Sequence, residues 1–169
     1  MKAPQLQAAT PAPLWRERHD APTFAATDRR ARVLVVEDDP VQALLITLML
    51  KHLGVAHTLV TDGAQAIEAV KTTSYALVLM DYLMPQVNGV EATRSIRRWE
   101  REAGRSRTPI VAVTASAMVG ECQRYTEAGM DDTIFKPFSA GALADVVARH
   151  CPASAWAYAH PFNSRGATS

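Results

Sequence analysis

Each strongly apolar run in the middle of this chain ends on a polar residue. Val33-Leu34-Val35-Val36 is followed by Glu37-Asp38-Asp39, and Ala76-Leu77-Val78-Leu79-Met80 by Asp81. Ile110-Val111-Ala112-Val113 is followed by Thr114, and Ile134-Phe135 by Lys136-Pro137. The runs at 32–36, 76–80 and 110–113 are nearly all apolar, as central parallel strands buried on both faces must be. Two more mixed runs, 56–60 and 132–135, read as edge strands. Helical patterns fill the gaps. Val41, Leu44, Leu45 and Leu48 recur at i, i+3, i+4 and i+7. Pro40 stands at the first helical position, where its missing N–H costs nothing, and Gly54 closes the helix. Further helices are predicted over 63–72, 89–103, 119–128 and 139–150, the last with Ser139 as its N-cap. Five strands alternating with five helices predict a doubly wound α/β domain, a five-stranded parallel sheet with helices on both faces.

Right-handed crossovers leave few arrangements of such a sheet. The order 2-1-3-4-5 is expected, and its crevice opens between strands 1 and 3 at their carboxyl ends. That crevice receives Glu37 and Asp38 from the first strand and Asp81 from the third. Thr114 and Lys136, from the fourth and fifth, flank it. Topology and polar residues thus converge on one place.

The rest of the chain narrows the function by exclusion. A length of 169 residues suits one domain with tails. Residues 1–30 are rich in Ala and Pro and are expected to be disordered. The folded domain is expected over 31–151, with an irregular tail over 152–169. A net charge of +1 gives no drive toward nucleic acid or membrane. Residues 152–169 are too few for a helix-turn-helix, so direct DNA binding is not expected. No apolar run is long enough to span a bilayer, and the N-terminus lacks the apolar stretch of a secretory signal. Cys122 and Cys151 form no CxxC pair and read as free thiols of a reducing compartment. A cytoplasmic protein is expected.

Carboxylates crowded at one sheet edge repel one another unless a cation intervenes. Hard oxygen ligands favour Mg²⁺. Asp38 and Asp81 can supply oxygens directly, Glu37 through water, and the backbone carbonyl of Leu83 a further one. Asp81 is then the candidate nucleophile, because a carboxylate can form an acyl phosphate. Lys136 can stabilise charge on a transferring phosphoryl group, and the Thr114 hydroxyl can donate to the product. Each element alone has a plainer reading. An acidic triplet before a helix serves as a cap that complements the helix dipole, and Lys136 or Thr114 alone says little. The joint placement at four strand ends carries the argument. A Lys-Pro bond can be cis and would then fix the direction of the lysine.

The stretches VLVVEDDP (33–40), LVLMDYLMPQVNG (77–89), TPIVAVTA (108–115) and AGMDDTIFKPF (128–138) resemble the receiver domain of two-component response regulators. With the intervening helices the resemblance covers 31 to about 151. EATRSIRRWE (91–100) is more similar to receivers attached to hybrid histidine kinases than to DNA-binding regulators. The resemblance implies a flavodoxin-like fold. It implies Glu37 and Asp38 as the acidic metal-binding pair, Asp81 as phosphoacceptor, Thr114 as switch hydroxyl and Lys136 as phosphate contact. The implied partners are a histidine kinase or histidine phosphotransfer protein upstream and an unspecified protein downstream.

Two features depart from or refine that pattern. Many receivers carry an aromatic residue three positions before the lysine, where this chain has Thr133, so an aromatic rotation at that position cannot operate. Leu83 and Ser116 border the path of water to the acyl phosphate, and apolar Leu83 is expected to slow loss of the phosphate. Leu83 also stands where an aspartyl phosphatase would carry its second acid, which argues against that class. Two roles stay open at this point, a regulated binding module and a phosphotransfer intermediate or sink; a third, a scaffold that is never phosphorylated, is disfavoured because every expected site residue is present. The arginines at 94, 97, 98, 101, 105 and 107, interleaved with Glu91, Glu100 and Glu102, read as a solvated helix face.

Overall fold

The computed structural model describes residues 32–116 and 118–151. The tails expected over 1–30 and 152–169 lie outside the described residues. The strands are β1 (Val33–Val36), β2 (His57–Val60), β3 (Leu77–Asp81), β4 (Ile110–Thr114) and β5 (Asp132–Phe135). They alternate with α1 (Pro40–His52), α2 (Gly63–Thr72), α3 (Gly89–Glu102), α4 (Val119–Ala128) and α5 (Ala140–His150). All pair in parallel, in the order β2-β1-β3-β4-β5. The predicted topology and element boundaries hold to within a residue or two.

Side chains alternate across the pleat, which splits the core into two layers. Val33, Val35, Leu77, Leu79, Val111, Val113 and Ile134 pack with α1 and α5 residues such as Ile46, Leu50, Leu143 and Val147. Leu34, Val36, Val78, Met80, Ile110 and Ala112 pack with α2, α3 and α4 residues, including Ala66, Ile96 and Tyr125. The central strands are therefore buried on both faces, the reason their runs are unbroken. No helix among the described residues is long and apolar enough to cross a membrane. Both cysteines are free; burial pushes the Cys151 thiol up to about 11.

Two sequence patterns turn out differently in three dimensions. The stripe Val41, Leu44, Leu45 and Leu48 marks α1 as a helix but faces solvent, with exposures of 74%, 58%, 49% and 54%. Ala43, Ile46 and Leu50 form the buried face instead. The helix is thus apolar on opposite sides, a pattern that on a surface marks a place for a partner.

The arginine-rich stretch is not one solvated face. Arg94, Arg98, Arg101, Arg105 and Arg107 are exposed, but Arg97 and Glu100 are buried, at 5% and 3% exposure. The Arg97 guanidinium donates to Glu100 Oε2 (2.7 Å), Asp131 Oδ2 (2.8 Å), Gly129 O (2.9 Å) and Thr108 O (2.8 Å). Charge patterning could not reveal this, because the partners at 108, 129 and 131 are brought in only by the strand crossovers.

Candidate functional site

The acidic triplet after β1 divides its work. Asp39 is the N-cap of α1: its Oδ1 accepts from the N–H groups of Val41 (2.9 Å) and Gln42 (2.8 Å). Glu37 and Asp38 are left to the crevice. There, with Asp81, each offers an oxygen, and the three oxygens lie within 4.8 Å of one another. The plain reading of such a triplet as a cap is thus right for one residue of the three.

Parallel register puts Asp81 beside them. Met80 is opposite Val36, so the next residue of β3 emerges level with Glu37 at the same strand end. Its approach is tight: a methyl group on Gly89 would collide with the Asp81 carbonyl oxygen. Only glycine lets the start of α3 sit that close to the end of β3. Asp81 Oδ1 accepts from the Tyr82 N–H at 2.8 Å.

Lys136 reaches in from the end of β5, and the Lys136–Pro137 peptide that follows it is cis. Its Nζ lies 2.7 Å from Glu37 Oε2 and 3.3 Å from Asp81 Oδ1. Glu37 is 1% exposed. Burial, joined by the Asp81 charge, holds its carboxyl above the usual range despite the hydrogen bond from Lys136. One ammonium among three carboxylates leaves net negative charge at a nearly buried point. Such a donor set, all hard oxygens within a few ångströms, fits a small divalent cation that keeps some of its water.

Thr114 ends β4, but its hydroxyl is engaged elsewhere. Oγ lies 3.1 Å from the Tyr125 hydroxyl and accepts from the Ser116 N–H at 3.1 Å. Leu83 lies two residues beyond Asp81 in the β3–α3 connection, with its side chain 71% exposed. The fold therefore gathers Glu37, Asp38, Asp81 and Lys136 directly, with Thr114 and Leu83 at the margin. Beside Lys136 opens a cleft of about 340 Å³, bordered by Gln42 and Leu45 of α1 and by Pro137 and Phe138.

Comparison with known proteins follows the same lines. The sequence profile of the response regulator receiver domain matches residues 33–148. The chain belongs to that family. Sensor protein GacS of Pseudomonas syringae pv. syringae is 43% identical over 121 residues, which are 72% of this chain and 13% of GacS. The chain thus spans a small part of the length of such curated relatives. The receiver domain of sensor histidine kinase PA1611 from Pseudomonas aeruginosa, solved with a magnesium ion coordinated in its active-site cleft, superposes with a TM-score of 0.65. It is 39% identical, over 71% of this chain and 96% of that one. The receiver domain of Ssk1 of Saccharomyces cerevisiae, solved in complex with the histidine phosphotransfer protein Ypd1, gives a TM-score of 0.70 at 26% identity, over 74% and 91% of the two chains.

One residue of this receiver domain escaped the sequence reading. Tyr125, on α4, is 1% exposed and is the largest fully buried side chain among the described residues. Its ring meets that of Tyr82 edge-on, with centroids 5.0 Å apart. Thr133, at the position where many receivers carry an aromatic residue, pairs in register with Ala112, so two short side chains lie together on the α4 face of the sheet. A lone tyrosine in a polar helical stretch was the available signal, but its tie to Thr114 depends on how α4 folds back over β4.

Proposed function

We propose that this receiver domain accepts a phosphoryl group from a phosphohistidine onto Asp81, with Mg²⁺, and signals by protein contacts. The observation that carries this reading is the convergence of Glu37, Asp38, Asp81 and Lys136 at one crevice. An Asp81 carboxylate oxygen attacks phosphorus in line. The phosphorus–nitrogen bond breaks as the phosphorus–oxygen bond forms, and the imidazole leaves with the electron pair. Lys136 moves its charge from the carboxylates to the phosphoryl oxygens, and the Thr114 hydroxyl donates to one of them. Asp38, Asp81, the Leu83 carbonyl and, through water, Glu37 would hold a Mg²⁺, which would supply further neutralisation of that charge.

The donor is a protein, a histidine kinase or histidine phosphotransfer protein, and the exposed α1 stripe supports that choice. The stripe begins at Val41, next to the acidic triplet, and Leu45 borders the cleft beside Lys136. A partner protein that brings its phosphohistidine to Asp81 has this apolar ridge to cover. The receiver domain of Ssk1, a similar structure, was solved in complex with a histidine phosphotransfer protein, Ypd1. The two free thiols fit a cytoplasmic setting.

Transfer from a radiolabelled histidine phosphotransfer protein tests the reading. Label is expected to pass to this chain in Mg²⁺ and to stay on the donor in EDTA. Transfer undiminished by EDTA, or none in either condition, contradicts it.

A further inference from the structure

The chemistry proposed above uses Thr114 but not the phenol bonded to it. Tyr125 Oη and Thr114 Oγ form a buried hydrogen bond of 3.1 Å. One turn earlier on α4, Glu121 Oε2 is buried and has no hydrogen-bond partner among the described residues. Residues 121 and 125 share a helix face at i, i+4, and the Glu121 charge is felt at the phenol, which burial holds neutral above its ordinary range. A tyrosine hydroxyl has one proton to donate, and a threonine hydroxyl also has one. A Thr114 hydroxyl that gives its proton to a phosphoryl oxygen can still accept from Tyr125, so movement is what parts them: when Oγ is drawn toward Asp81, Tyr125 loses its partner. A buried polar group without a partner is unfavourable, and Glu121 carries the complementary deficit.

We infer that the Tyr125 hydroxyl is a two-position relay, bonded to Thr114 at rest and to Glu121 when a phosphoryl group occupies Asp81. The relay passes occupancy of the site into α4. It rests on the proposed phosphoacceptor function, since phosphate on Asp81 is its trigger. It also accounts for Thr133: the aromatic group that senses Thr114 comes from α4 and not from β5. Tyr82, the residue after the acceptor, packs against the same ring and fixes its edge.

The test uses the full chain, with tyrosine labelled by ¹³C at Cζ, in Mg²⁺ with and without acetyl phosphate. Intact mass is read on the same samples. The chain has four tyrosines, and the Tyr125→Phe variant assigns the relevant resonance by its loss. Phosphorylation of the wild type is expected to shift the Tyr125 signal and to change amide-exchange protection across Val119–Ala128 severalfold. Tyr125→Phe keeps the ring and is expected to take the single phosphate while losing most of the α4 response. A full α4 response in the phosphorylated variant, or a Tyr125 signal unmoved in the phosphorylated wild type, overturns the relay alone. No phosphate on the wild type overturns the relay together with the function it rests on.

Discussion

Replacing Arg97 with methionine is expected to destabilise the fold by about 3–5 kcal/mol, the usual cost of breaking a buried ion pair from one side. The side chain ties three segments at the end of the sheet remote from the site. It joins α3 through Glu100, the entry to β4 through Thr108 O, and the α4–β5 connection through Gly129 O and Asp131. Glu100 Oε1 also accepts from the Thr108 N–H at 2.7 Å, and Asp131 Oδ2 from that of Ile110 at 2.8 Å. Methionine fills much of the volume but leaves the Glu100 carboxylate buried without its counter-charge. In a domain of this size the loss is a melting point lower by roughly 10–20 °C. A second change, Glu100→Met in the Arg97→Met background, is expected to restore part of it, because the stranded charge is then gone. Thermal and urea unfolding of the three proteins measure this. A loss below about 1 kcal/mol for Arg97→Met would mean a surface pair and would contradict the network.

Trimming the α1 ridge is expected to separate protein-borne from small-molecule phosphoryl donors. Leu45 and Leu48 are each about half exposed, so a docking protein can bury the remaining half, worth about 1 kcal/mol per side chain. The double variant Leu45→Ala, Leu48→Ala should therefore weaken transfer from a phosphohistidine protein by roughly thirtyfold at limiting donor. Alanine is the better helix former, and neither side chain belongs to the core, so folding is retained. Uptake from acetyl phosphate should be unchanged, since Asp38, Asp81 and Lys136 are untouched. Equal loss with both donors would place the defect in the site and not in docking. No loss with the protein donor would remove α1 from the interface.

The fold was legible because its signals were local and redundant. Unbroken apolar runs marked strands buried on both faces, Pro40 and Ser139 opened helices, and Gly54 closed one. The site was legible for the same reason, since residues at the carboxyl ends of parallel strands must share an edge whatever lies between them. What stayed hidden depended on contacts across crossovers. The stripe on α1 announced a helix without saying which face is buried, because Ala43, Ile46 and Leu50 make a second apolar face opposite it. Arg97 and Glu100 looked like members of a solvated charge pattern until Thr108, Gly129 and Asp131 were brought against them. Pro40 at the first helical position leaves Asp39 as the cap, a distinction that the acidic triplet by itself does not make. Tyr125 gave no sign of its bond to Thr114, which depends on α4 folding back over β4.

The most direct measurement is the intact mass of the full chain after incubation with Mg²⁺ and acetyl phosphate, beside the Asp81→Asn variant. The amide keeps the shape of the side chain but lacks the nucleophilic oxygen anion. A single phosphoryl adduct on the wild type, mapped to the peptide containing Asp81 and absent from the folded variant, is the predicted result. An adduct of equal yield on Asp81→Asn, or none on a folded wild type that binds Mg²⁺, would contradict the assignment of Asp81 as the phosphoacceptor.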